Sequence, residues 1–172
     1  MDILSDLIAW DGKDTDWLEQ FYRVNVEDSS FEELIYLWPI EMEASDRLYI
    51  SLSHLLKKHC DSGYIVLAKH NRSILSVLEN EPHWQTLLHI LQSFKSFELI
   101  EEDRASWERI LKSALTSENK FVRAWSYYAW VLFAERFPGY KAEVSDYIEM
   151  ALRDEAASVK ARIRQMQKQG LI

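Results

Sequence analysis

The sequence predicts an all-α protein built as a solenoid of stacked helix pairs. Three observations carry that prediction. Apolar residues recur at helical spacing along nearly the whole chain, and period-two alternation is hard to find. Glycine (four) and proline (three) are scarce among the 172 residues, whereas a β-rich fold needs many tight turns and the residues that make them. The C-terminal half also repeats at 37 residues: Leu115, Val122, Arg123, Ala124 and Ala129 are followed by Leu152, Val159, Lys160, Ala161 and Met166. The first four pairs are like for like and the last changes size. A period of this length, spanning two helical segments, marks units that cannot bury an apolar face alone and do so by stacking.

The elements follow in order. Residues 2–23, with Leu4, Leu7, Ile8, Trp17, Leu18 and Phe21, predict one or two capping helices, and the cap as a whole spans 1–28. Helix pairs at the 37-residue period then fill 29–172. First helices are expected at about 29–42, 66–79, 103–116 and 140–153, and second helices at about 45–60, 82–96, 119–136 and 156–169. Ser30 and Glu33 form a capping box ahead of Leu34, Ile35 and Leu37, and Pro39 ends or kinks that helix. Ser45 caps the helix of Leu48, Leu52, Leu55 and Leu56, with Gly63 just past its end. The run Tyr64–Ala68 is too short for periodicity to classify and reads as leading into a helix. Pro82 suits a first helical turn, Asp103 a cap, and Phe137-Pro138-Gly139 a break between helices. No Ser/Gly-rich linker interrupts the chain, so a single domain over 1–172 is expected, of a size that buries roughly 70% of its unfolded surface.

Composition narrows the function classes. Seven tryptophans must be buried or used in contacts. The single cysteine, Cys60, cannot form an intrachain disulfide and suits a reducing compartment. The acidic start, with its short apolar run, reads as neither a signal peptide nor a transit peptide, and no stretch approaches the length of a membrane span. The expected location is the cytoplasm, away from membranes. Residues 1–103 hold 20 acids against 8 Lys/Arg, and residues 104–172 hold 8 acids against 12 Lys/Arg. The acidic first part opposes phosphate, which argues against nucleic acid as partner. The basic second part suits a protein or an acidic peptide.

Leu115-Thr116-Ser117-Glu118-Asn119-Lys120-Phe121-Val122-Arg123-Ala124-Trp125-Ser126 and Leu152-Arg153-Asp154-Glu155-Ala156-Ala157-Ser158-Val159-Lys160-Ala161-Arg162-Ile163 each resemble a HEAT repeat. In that family the first helix ends in Leu, an Asp often sits in the turn, and the second helix opens with Val-Arg followed by small residues. Asp154 matches the turn acid and Arg123 the arginine. Lys160 replaces the arginine conservatively, and Ser117 departs from the acid. The resemblance is clearest over 103–169. It implies a right-handed superhelix of about four helix pairs, second helices lining the concave face, and a scaffold for protein partners. It also implies that Arg123 pairs with a turn acid, with Asp154 the candidate. Two enzymatic offshoots of the wider family, HEAT-like DNA alkylation-repair glycosylases and HEAT-like bilin lyases, give the alternative reading.

On helix 119–136, Val122, Trp125, Ser126, Ala129, Leu132 and Phe133 are expected to face the core, with Arg123, Tyr127, Trp130 and Ala134 beside them. Lys160, Arg164 and Gln167 correspond on the last helix. Arg123, Tyr127, Trp130, Lys160 and Arg164 are therefore the expected partner-binding residues, because cations beside aromatics suit an anionic peptide or a nucleic acid. His54 and His59 are five apart, off the spacing that aligns two ligands on one helix face. No H-E-x-x-H, C-x-x-C or glycine-rich phosphate loop occurs. No metal, cofactor or catalytic residue is expected, Cys60 reads as a buried inert thiol, and the oligomeric state is left open.

Overall fold

A computed structural model of the chain describes residues 3–25, 38 and 46–172. The described elements are helical: α1 (Ile3–Ala9), α2 (Thr15–Asn25), α3 (Asp46–Asp61), α4 (Ala68–Leu78), α5 (Trp84–Ser93), α6 (Arg104–Leu115), α7 (Lys120–Arg136), α8 (Lys141–Asp154) and α9 (Ala157–Lys168). Short 3-10 turns span Phe94–Ser96, Glu101–Asp103 and Pro138–Tyr140. No strand occurs among the described residues, and the protein is all-α. The expected helix at 29–42, its Ser30–Glu33 capping box, Pro39 and the Ser45 cap lie outside the described residues.

Helix ends show where local chemistry was read correctly and where it was not. The helix expected from about 119 starts there, and the structure adds its cap: Asn119 Oδ1 accepts from the amides of Phe121 at 2.9 Å and Val122 at 3.4 Å. Gly63, at φ +98°, closes α3: its amide donates to the Cys60 carbonyl and that of Tyr64 to the His59 carbonyl. This is a Schellman turn, which needs a left-handed residue and so favours glycine. Its usual apolar contact is present too, as the Tyr64 ring stacks on His59 at 3.7 Å. The run Tyr64–Ala68 does lead into a helix, α4 beginning at Ala68, and Val66 just before it makes an isolated parallel bridge with Phe97. Two expectations are corrected. Pro82 lies outside α5, whose N-cap is His83, accepting from the Gln85 amide. Asp103 makes no side-chain cap bond to α6; the preceding 3-10 turn carries the chain into the helix instead.

The chain gathers into two compact units, Met1–Glu98 and Leu99–Ile172. In the first, α3 is central and packs against α1, α2 and α5. Leu48, Leu52, Leu55 and Leu56 on α3, Leu7 on α1, Leu18 and Tyr22 on α2, and Ile90 and Leu91 on α5 are all buried. The amide of Ala68 donates to the Glu98 carboxylate and Asn71 Nδ2 to the Glu98 carbonyl, which ties the start of α4 to the chain after α5.

In the second unit α7 is the hub, packing on α6, α8 and α9. A helix surrounded on several sides must be apolar on several sides. Val122, Ala129, Trp130 and Phe133 of α7, Trp107 and Leu111 of α6, Val144 and Ala151 of α8, and Val159, Ile163 and Met166 of α9 fill this core. The repeat partners Val122 and Val159 are both fully buried, as are Ala129 and Met166.

Candidate functional site

One flank of α7 is left partly open. Phe121, Trp125, Tyr128 and Leu132 follow the 4-3-4 spacing that aligns side chains on one side of a helix. Phe121 is 50% exposed, and the other three are half-buried. The Trp125 and Tyr128 rings meet edge to face, 5.4 Å apart. From α9, the Arg162 guanidinium lies 3.7 Å from the centre of the Trp125 ring, and its Nη1 donates to Gln165 Oε1 at 3.1 Å. At the start of α7, Lys120 Nζ sits 5.5 Å from the Phe121 ring centre. Such contacts are attractive because the ring face is electron-rich. The result is an aromatic ridge with a cation over each of two rings one helical turn apart.

The five residues expected from the sequence do not make this surface. Trp130 is 1% exposed and Tyr127 is buried. They lie on the other side of α7, where Trp130 meets Tyr140 and Tyr147 at 5.9 and 6.1 Å. The covering helix α8 is the reason: it occupies the flank that had been assigned to a partner. Trp125 and Leu132, expected in the core, are instead half-exposed. Arg123 is structural. Its Nε and Nη2 grip both carboxylate oxygens of Glu155 at 2.9 and 3.1 Å, and its Nη1 donates to the Ser117 and Glu118 carbonyls. The acid is therefore Glu155 rather than Asp154, which is exposed and pairs with Arg153. Glu155 leaves helical geometry at φ −81°, ψ 165° and turns its carboxylate back. Lys160 repeats the Arg123 role in part, donating to the Arg153 carbonyl at 2.8 Å. Arg164 is exposed, and residues 160 and 164 lie on the flank of α9 away from Arg162 by helical spacing. Sequence reasoning passed over Arg162, although the signal was present: it stands 37 residues after Trp125, and equivalent positions on stacked helices meet.

Other polar clusters read as structural. Over Trp130, Lys112 bridges Glu108 and Glu143 at 2.7 and 3.1 Å, Tyr140 donates to Glu108, and Tyr147 donates to Glu143. The hydrogen bonds from Lys112 and Tyr140 hold the Glu108 carboxyl below its usual range, so it stays ionised and is no proton donor at neutral pH. In the first unit the His54 and His89 rings meet edge to face at 5.5 Å, and Ser53 Oγ lies 2.9 Å from His89 Nδ1. The Ser53 hydroxyl gives its one hydrogen to the Ile50 carbonyl. His89 Nδ1 therefore donates to the serine, the reverse of nucleophile activation. Burial pushes His89 down to about 3 and His59 down to about 4. Tyr22 Oη lies 3.0 Å from His59 Nδ1, so His54 and His59 sit in different surroundings. Burial raises the Cys60 thiol to about 11, well away from a reactive thiolate. No group of three or more metal-ligating side chains occurs among the described residues, and no described helix is long and apolar enough to cross a membrane.

No protein-family model, curated protein or solved structure matches the chain. The class that fold and site define is an all-helical protein with a part-open aromatic ridge on one helix and cations laid over it.

Proposed function

We propose that this chain is a non-enzymatic protein-interaction module of the HEAT-like solenoid kind, whose second helices α7 and α9 present the binding face. The observation that carries the reading is the ridge of Phe121, Trp125, Tyr128 and Leu132, left part-open while Tyr127 and Trp130 on the other flank of the same helix are buried. Aromatic side chains and Arg are enriched at protein interfaces because they bring large contact area with few rotatable bonds. The repeat supports the solenoid reading. Val122 and Val159 fill equivalent buried seats, Arg123 donates back to the turn before its helix and Lys160 to the last turn of α8, and Trp125 and Arg162 are equivalent positions in contact. The partner is a protein or an acidic peptide, met from a cytoplasmic location.

The test is affinity capture from the source cell with the chain and its Trp125→Ala variant side by side, followed by reconstitution with the purified captured protein. The reading expects a protein that binds the parent directly and the variant at least about tenfold more weakly, as for an interfacial hot spot. Equal binding by the two would overturn it. Retention on a DNA column in place of any protein would instead favour the HEAT-like nucleic-acid enzyme.

A further inference from the structure

The chemistry of the ridge narrows the partner. Six cations of the second unit are held by acids or by backbone carbonyls: Arg123 by Glu155, Lys112 by Glu108 and Glu143, Arg104 by Glu101, Arg153 by Asp154, Lys160 by the Arg153 carbonyl, and Arg136, which lies over the Phe137 ring, by the Leu99 carbonyl. Arg162 and Lys120 are different. Among the described residues neither has a carboxylate within ion-pair distance; each lies over an aromatic ring instead. The polar partner of Arg162 is the neutral Gln165 amide. A guanidinium stacked by its face keeps its N–H edges available, and those edges match a carboxylate bidentately.

We infer that the ridge takes an acidic peptide segment in which a carboxylate pairs with Arg162 while a neighbouring apolar side chain packs on Phe121 and Trp125. This deepens the protein-binding reading above and rests on it. The carboxylate displaces a neutral amide oxygen from Arg162, so no existing ion pair has to break. The apolar side chain covers ring surface that is otherwise wet. Polarity along α7 sets the direction of the segment. Lys120 and Arg162 lie toward the N-terminal part of the ridge, whereas Glu135, exposed and electrostatically coupled to Tyr128, lies toward its C-terminal part. Acids in the segment belong at the first end and not the second. Phosphate groups of a nucleic acid would also seek Arg162 and Lys120, but the many acids of the chain oppose a polyanion more than they oppose a short segment with a few carboxylates.

The probe is a random 12-residue peptide library displayed on phage and selected on the immobilised full chain. Selected peptides are then measured by fluorescence anisotropy. The expected result is enrichment of Asp or Glu within a few positions of Leu, Phe or Trp. Affinity should fall at least about tenfold in both Arg162→Gln and Trp125→Ala, and weaken as salt rises. A charge exchange sharpens the test: Arg162→Glu should bind a peptide with its acid changed to Lys better than the original peptide. Far-UV dichroism and a melt establish that each variant is folded; where Arg162→Glu is not, the Arg162→Gln comparison at two salt concentrations decides. Peptides that lack acids and bind Arg162→Gln as well as the parent, yet lose affinity in Trp125→Ala, would overturn the carboxylate pairing and leave the protein-binding reading standing. Selected peptides indifferent to both Arg162→Gln and Trp125→Ala would overturn both readings. Binding of a 20-nucleotide single strand that competes with the peptides and is lost in Arg162→Gln would overturn the peptide assignment in favour of nucleic acid.

Discussion

Arg123 meets the carboxylate of Glu155 and the carbonyls of Ser117 and Glu118 at once. With the pair only 21% and 16% exposed, its loss leaves a half-buried acid and two turn carbonyls short of donors. Arg123→Ala should cost about 2–3 kcal/mol, read as a lower urea midpoint; an unchanged midpoint would show that the clamp is ornamental. The sequence made this residue legible as a cation aimed at the next turn, but named Asp154 as its acid. One position was lost because α8 runs through Asp154, and only the extended geometry of Glu155 turns a carboxylate inward. His59 and His89 give a second expectation. An unfolded imidazole takes its proton near pH 6.5, whereas burial holds the folded groups down to about 4 and about 3. Between those values the unfolded chain binds more protons, so these two residues stabilise fully above about pH 6.5 and progressively less as pH falls toward 4 and 3. The C–H signals of His59 and His89 in NMR should not titrate between about pH 7.5 and 5. Either of the two moving through a midpoint near 6.5 would contradict the burial.

Helix α7 explains what could and could not be read one level up. Its boundaries were legible because Asn119 is a strong cap and Phe137-Pro138 a strong stop. Which flank faced solvent was not. Apolar side chains occur all round the helix, so periodicity has no single stripe to find, and the expectation placed Trp130 outside and Trp125 inside. The structure reverses them because α8 covers Trp130, while Trp125 faces Arg162. Their truncations should separate cleanly. Trp130→Ala empties a sealed core position and should cost about 3–5 kcal/mol. Trp125→Ala removes a half-exposed ring and should cost only about 1 kcal/mol while damaging partner binding. Paired thermal melts read both; equal losses would mean that Trp125 is core after all. In the first unit, the Val66–Phe97 bridge was illegible for a different reason. It joins residues 31 positions apart through backbone atoms, which side-chain patterning does not report.

The chain as a whole carries a net charge of −8, with 20 of its 28 acids in residues 1–103. That asymmetry was legible from the sequence and pointed to an acidic partner for the C-terminal part. The structure places Lys160 on the Arg153 carbonyl and leaves Arg164 exposed, while the cations over the ridge are Lys120 and Arg162. Helical class and most helix boundaries could likewise be read, because they rest on local spacing and caps. The ridge could not, because it depends on which helix packs where. The central claim is that partners meet this protein on the α7–α9 face. It is tested most directly by site-specific photo-crosslinking in the source cell. One protein carries a crosslinking amino acid in place of Phe121 on the ridge, and a second carries it in place of Met150 on the outer side of α8. The two positions are matched, at 50% and 52% exposure. The account predicts a discrete protein adduct from position 121 that disappears when Arg162→Gln and Trp125→Ala are added, and none of that adduct from position 150. The same adduct from both positions, or one from position 150 alone, would contradict it.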